Sequence, residues 1–284
     1  MARDLWAYDP NTNLALATAA LFSISTIIHL VVVIKRKTWF YTAFVIGGFM
    51  MTMGYVLRYL SAKSPDSVML FAQQSLFIIL PPSLYAATMY MIFGRMVLFV
   101  NNPRASLIRP QWVTKIFVTG DLLSFFMQGG GGGIMAGGGE NAVLGQKIIM
   151  VGLAFQLLFF GFFLIMAITF RKRMLAALPG TVPNPSGKYS WHALLMLLLL
   201  GAGLIIARCI FRLFEFGLGQ KNVLTEKEVW VYLGDTLLMF LVQILFHFSH
   251  AGNVFVKDTS QDILMEGQKG HGRSESYKRL TTNR

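Results

Sequence analysis

Seven apolar stretches occupy most of the chain, near residues 12–34, 39–61, 69–95, 113–136, 147–170, 191–214 and 229–251. A helix needs about 20 predominantly apolar residues to cross the hydrocarbon core of a bilayer. Inside that core only helices and closed barrels satisfy every backbone N–H and C=O. The expected fold is therefore all-α, a polytopic membrane protein with seven transmembrane helices. Composition agrees: 55% of the 284 residues are hydrophobic and 13% charged, against about 25% charged in soluble domains. The domain plan is an extracellular N-terminus over 1–11, a transmembrane domain over 12–251 and a cytoplasmic basic tail over 252–284, whose Lys, Arg, Ser and Gly content predicts disorder.

Two of the stretches carry irregularities. Pro81-Pro82 predicts a kink in the third, because proline lacks the backbone donor and clashes with the preceding turn. The fourth is uninterrupted only to about Gln128, and GGGGGIMAGGG follows. Each glycine costs roughly 1 kcal/mol of helix propensity, so a helix end thinning into a flexible loop is the first expectation. Close backbone approach to a neighbour or ligand is the alternative.

Orientation follows from Lys and Arg in the connections, which collect on the cytoplasmic side. Lys35, Arg36, Lys37, Arg95, Arg104, Arg109, Arg171, Lys172, Arg173, Lys188 and six in the tail put sixteen on one side; Arg3, Lys63, Lys221 and Lys227 put four on the other. The N-terminus is expected outside and the C-terminus inside. The same bias accounts for the net charge of +12 without nucleic acid as a partner, and places the basic tail near anionic lipid headgroups. The first thirteen residues have no basic n-region, so the first span is expected to stay in the protein.

Charged residues within such spans mark function or a paired network. Arg208, Arg212 and Glu215 share one face of the sixth span at i, i+4 and i+7; Arg58 near the outer end of the second and Asp235 about two turns into the seventh lie at the same depth. Counted this way, two carboxylates serve three arginines, and one positive charge is left to attract a phosphate or carboxylate headgroup. A structural ion network or snorkelling is the competing reading. A second set, His29, Gln74, Asp121, Gln128, Gln243 and His247, with Thr18, Ser25, Ser124 and His250, suggests a polar path through the bundle; ordinary interhelical hydrogen bonding explains most of these side chains equally well. Asp121 and Asp235 are the candidates for proton coupling. No G-x-x-x-x-G-K-[ST] loop is present to bind ATP.

The segments GYVLRYLS (54–61), ILPPSLYAATMYMIFGRMV (79–97), IFVTGDLLSFFMQGGGGG (116–133), RCIFRLFEFGLG (208–219) and EVWVYLGDTLLMF (228–240) resemble the motifs of the fungal lipid-translocating exporter family, also called RTA-like proteins. The likeness extends over nearly all of residues 8–252. It implies a seven-helix fungal membrane protein concerned with export of sphingoid long-chain bases, with resistance to toxic amphiphiles, and in one branch with porphyrin or haem as a transported ligand. A plasma-membrane location and no resident cofactor are implied as well. Arg58, Asp121, Gln128, Arg212, Glu215 and Asp235 match the motifs. Met51 stands where the family commonly has glutamate, and Ala251 where it commonly has proline, which bears on substrate or coupling.

Other classes share the plan. A lipid-sensing receptor has the same topology, although the last span contains no lysine for a retinal Schiff base. A zinc-dependent lipid hydrolase would draw its ligands from His29, Asp121, His247 and His250, without an H-E-x-x-H signature. The charge asymmetry makes a direct prediction. With Cys209 replaced, a cysteine introduced at Ser64 is labelled by an impermeant reagent in intact cells and one at Ser274 is not; labelling at Ser274 reverses the orientation.

Overall fold

The computed structural model describes residues 6, 8–100, 106–137, 139–176, 190–218, 227–248, 251, 252 and 254. All regular structure among them is helical. The helices are α1 (Thr12–Arg36), α2 (Thr42–Lys63) after a 3-10 turn at Trp39–Tyr41, α3 (Val68–Ile79), α4 (Pro81–Phe99), α5 (Pro110–Ala136), α6 (Glu140–Leu175), α7 (Trp191–Gly217), α8 (Glu228–Val231) and α9 (Leu237–Phe248). A π-helical turn, Tyr232–Thr236, joins α8 to α9. The tail beyond Val254, His250 and Ser274 lie outside the described residues.

Local chemistry sets the ends. The Asn11 side chain accepts from the backbone N–H groups of Asn13 and Leu14, at 3.0 and 3.1 Å, capping α1. Lys37, in the left-handed conformation at φ 54°, closes it. The expected irregularity in the third stretch falls at Leu80, where the helical hydrogen bonding is interrupted: α3 stops at Ile79 and α4 starts at Pro81, while Leu80 keeps helical backbone angles. Proline is favoured at the first helical position because its missing N–H is an orphan there anyway.

Among the described residues six helical segments are long and apolar enough to cross a membrane: 12–36, 39–63, 68–99, 141–175, 191–217 and 228–248. α5 has the length, at 27 residues; Lys115, Asp121, Gln128 and its glycines dilute its apolarity. It still follows the same pattern, with Leu122, Leu123 and Phe126 outward and Asp121, Ser124 and Gln128 buried. The α3–α4 segment is the most enclosed of the spans, and Tyr85, Met89, Tyr90 and Phe93 of α4 have no exposure. Around it the outward faces are greasy, with Leu21, Ile24 and Ile28 on α1 and Leu158, Phe162 and Ile165 on α6 all exposed. So continuous an apolar exterior is unsuited to water and matches lipid.

The glycine run corrects the first expectation placed on it. α5 stays helical through Ala136, and the alternative holds for part of the run: a Cβ at Gly131 would lie 2.8 Å from the Gly145 carbonyl oxygen, and one at Gly145 would lie 2.4 Å from that of Gly131. The two glycines let the α5 and α6 backbones touch near their shared turn, where Gly139 takes a positive φ of 62°. Gly129, Gly130 and Gly133 face open space. Gly145→Ala is expected to destabilise by about 1–3 kcal/mol through overpacking against backbone, and Gly130→Ala to be neutral or to stabilise by up to about 1 kcal/mol. Thermal unfolding of the two variants in one detergent tests the contrast.

Candidate functional site

Arg208 and Arg212 lie one turn apart on α7 and reach the same carboxylate. Arg208 Nε donates to one oxygen of Asp235 and Arg212 Nη2 to the other. Arg208 and Asp235 have no exposed surface. Three local features allow this. The π turn carries Asp235 inward to α7, and Gly234 next to it has no side chain where a Cβ would meet the Phe211 ring at 2.4 Å. Pro82 supplies the third. In an unbroken helix the N–H of residue 82 would bond the carbonyl of Ile78; proline has none, so the Ile78 carbonyl is free to accept from Arg208 Nη2 at 2.9 Å.

Toward the same end of the bundle, Arg212 Nη1 donates to Glu215 at 2.8 Å. Arg58 of α2 donates to Glu228 at 2.9 Å, to the Tyr8 hydroxyl at 2.6 Å and to Gln74 at 3.4 Å. The rings of Trp6, Tyr232 and Tyr8 surround its guanidinium at 5.0, 5.6 and 5.9 Å. The backbone N–H of Asn11 bonds the second oxygen of Glu228 at 2.9 Å, and the hydroxyls of Tyr55 and Thr236 pair beneath. The segment before α1 is thus fastened over the cluster.

The charge count differs from the one made on sequence. Glu228 belongs to the cluster, so three carboxylates serve three arginines and no positive charge is in excess. Its separation of seven residues from Asp235 was the available signal. Trp6 and Tyr8 gave none, because contacts made by a non-helical segment have no period. Exposure is graded: side-chain values are 0% for Arg208 and Asp235, 5% for Arg58 and 9% for Arg212, against 12% for Glu228 and 13% for Glu215. Asp235, fully enclosed and gripped on both oxygens, fixes the arginines and is not reachable by a ligand.

The remaining predicted residues do not form one path. Between α1, α4 and α9, Ser25 and His247 share a hydrogen bond at 2.9 Å, His29 Nε2 donates to the Gln243 carbonyl at 3.1 Å, and the two histidine rings stack at 3.8 Å. The Gln243 amide donates to Thr26 and Tyr85. On the opposite side of α4, Gln128 of α5 donates to Gln156 of α6 at 2.9 Å, which donates to Ser83 at 3.2 Å. Gln156 was not singled out from sequence. Asp121 lies in this second layer, with the Tyr90 hydroxyl as its polar neighbour. Gln74 is drawn to Arg58, and Thr18 lines an apolar recess of about 250 Å³ with Phe22, Tyr232, Leu233, Thr236 and Phe240. Among the described residues no three His, Cys, Asp or Glu side chains converge as a metal site would require: His29 and His247 meet, and Asp121 is not grouped with them.

An apolar exterior, membrane-length helices and an interior ion cluster define a polytopic integral membrane protein of the helical class. The chain belongs to the RTA1-like family: the family described as "RTA1 like protein" matches residues 44–258. It is 36% identical to Protoporphyrin uptake protein 1 of Saccharomyces cerevisiae, over 79% of this chain and 71% of that protein. It is 26% identical to Probable lipid transporter atnI of Emericella nidulans, over 86% and 66%. To the Sphingoid long-chain base transporter RSB1 of Saccharomyces cerevisiae it is 20% identical, over 87% and 73%. No solved structure matches the chain.

Breaking the buried pair strands two guanidinium groups, so Asp235→Ala is expected to lower stability by about 3–5 kcal/mol. Glu228→Gln, which keeps an amide oxygen beside Arg58 and leaves the Asp235 pairs intact, is expected to cost less than Asp235→Ala. Melting temperature and membrane accumulation of the two variants check the ranking.

Proposed function

We propose that this chain moves single-chain amphiphiles with a cationic headgroup, of the sphingoid long-chain base type, between leaflets of the plasma membrane. The observation that carries the reading is the gradation in exposure, with Glu228 and Glu215 at 12% and 13% more open than the arginines at 0–9%, which gives the cluster an acidic rim. An ammonium headgroup would find charge-assisted acceptors there; the arginines lie deeper, and each already pairs with a carboxylate of the cluster. The recess beside Tyr232 and Thr236 offers apolar surface for the hydrocarbon chain next to that rim. With the N-terminus outside, the cluster sits at the outer leaflet, where an exporter releases its cargo. The names of relatives in lipid transport and sphingoid base transport support the substrate class.

A second reading comes from the relative named for protoporphyrin uptake, at higher identity. A porphyrin dicarboxylate would seek arginines, and these are the less exposed members of the cluster, which favours the amine. Reconstituted vesicles with a fluorescent sphingoid base test the proposal. Glu215→Gln is expected to slow leaflet-to-leaflet movement at least tenfold while the protein still accumulates and melts near the wild-type temperature. Wild-type rates in that variant would make the cluster structural only, and movement of porphyrin but not base by the wild type would favour the second reading.

A further inference from the structure

The two aspartates inside the membrane have opposite surroundings. Asp235 has both oxygens taken by guanidinium groups. Asp121, on the inward face of α5, is as deeply enclosed at 2% exposure, forms no ion pair among the described residues, and has the Tyr90 hydroxyl as its polar neighbour without a well-formed hydrogen bond to either oxygen. Tyr90 faces it from α4, with a hydroxyl that is also buried and has no hydrogen-bond partner elsewhere among the described residues. Cys209 faces it from α7 as a free, buried thiol. From α6 come the rings of Phe160 and Phe163, packed on Tyr90, and of Phe159 against neighbouring Gly120, and Phe117 closes the box from α5 itself. Lys115, on the same helix, lies over the Trp112 ring, and none of the four ion pairs among the described residues includes Asp121. The nearby amides of Gln128 and Gln156 are turned to one another and to Ser83.

A buried carboxylate without a counter-charge or donor is strongly disfavoured, whereas the neutral acid carries no net charge to desolvate. We propose that Asp121 is the proton-exchanging site of the bundle, and that Asp235 stays ionised as part of the scaffold. In the protonated form the carboxyl O–H donates to the Tyr90 oxygen. When the proton leaves for water, the Tyr90 O–H rotates and donates to the carboxylate, so a single adjustment of one hydroxyl serves both states. The ionised form requires further donors or water where the enclosed state has aromatic rings, and this drives α5 and α4 apart. Coupling of that opening to cargo movement rests on the transport reading above; the proton exchange itself does not.

Infrared difference spectroscopy on the full chain in lipid nanodiscs tests the site directly. The wild type is expected to show the carbonyl stretch of a protonated carboxylic acid at acidic pH, lost reversibly as the solution is made alkaline. Asp121→Asn, an isostere of the neutral acid, removes that band and melts at or above the wild-type temperature. Tyr90→Phe keeps the band and shifts its frequency, because the acid loses its partner. A wild type without a titrating band, a band that survives Asp121→Asn, or a Tyr90→Phe frequency equal to wild type overturns the proposal, the last deciding it even if Asp121→Asn fails to accumulate. In vesicles with an imposed pH gradient, the wild type is expected to move a fluorescent sphingoid base at least threefold faster than without one, and Asp121→Asn to show no such gain. A retained gain overturns the coupling. If the wild type moves no base at all, the transport reading fails while the infrared titration still decides Asp121.

Discussion

The carboxylate of Asp235, held between Arg208 and Arg212, is the interaction on which the rest of the arrangement depends. Burying three ionised groups is costly, and attraction in a low dielectric offsets that cost only when the geometry is good and the remaining donors are used. Here Arg208 spends a further donor on the Ile78 carbonyl and Arg212 one on Glu215, while Arg208 Nη1 and Arg212 Nε stay buried without a partner. The result ties together α7, the turn before α9 and the break between α3 and α4. Lipid supplies no hydrophobic force between helices, so such ties have an outsized part in choosing one packing from many.

Each partner in that tie exists because a neighbouring element departs from regular geometry. A proline removes one helical hydrogen bond and frees Ile78; a π turn brings Asp235 inward; a glycine lets Phe211 approach the turn. These are irregularities of backbone that a membrane tolerates only where protein re-satisfies the released groups, and a guanidinium does so at Ile78. The segment before α1 then closes over Arg58 with two aromatic rings and a backbone bond to Glu228. What is left at the surface of the cluster is carboxylate, and the preference proposed for a cationic headgroup follows from this gradation in exposure.

The inner polar residues show the limits of reading faces from a sequence. Asp121, Ser124 and Gln128 do share a buried face, as their spacing predicts, and so do Ser25 and His29. Their partners lie on opposite sides of α4, so two separate layers form in place of one path. Spacing reports which residues of one helix face the same way and carries no information on which neighbouring helix they meet. The glycine run shows the complementary failure, since propensity alone argues for a loop while contact between two bare backbones holds the helix together.

Helix number and the all-α class were legible from hydrophobicity, because a bilayer demands long apolar segments whatever their neighbours. That Arg58, Arg208, Arg212 and Asp235 fall at a common level of the bundle was legible too, since rise per residue is fixed along a helix. Membership of Glu228, Tyr8 and Trp6 in the cluster, its neutrality, and the contrast between a twice-paired Asp235 and an unpaired Asp121 were decided by tertiary structure. Pairing depends on which helices adjoin and how their side chains turn, and those follow from packing at the proline break, the π turn and the glycine contacts, none of which has a periodic signature in the chain.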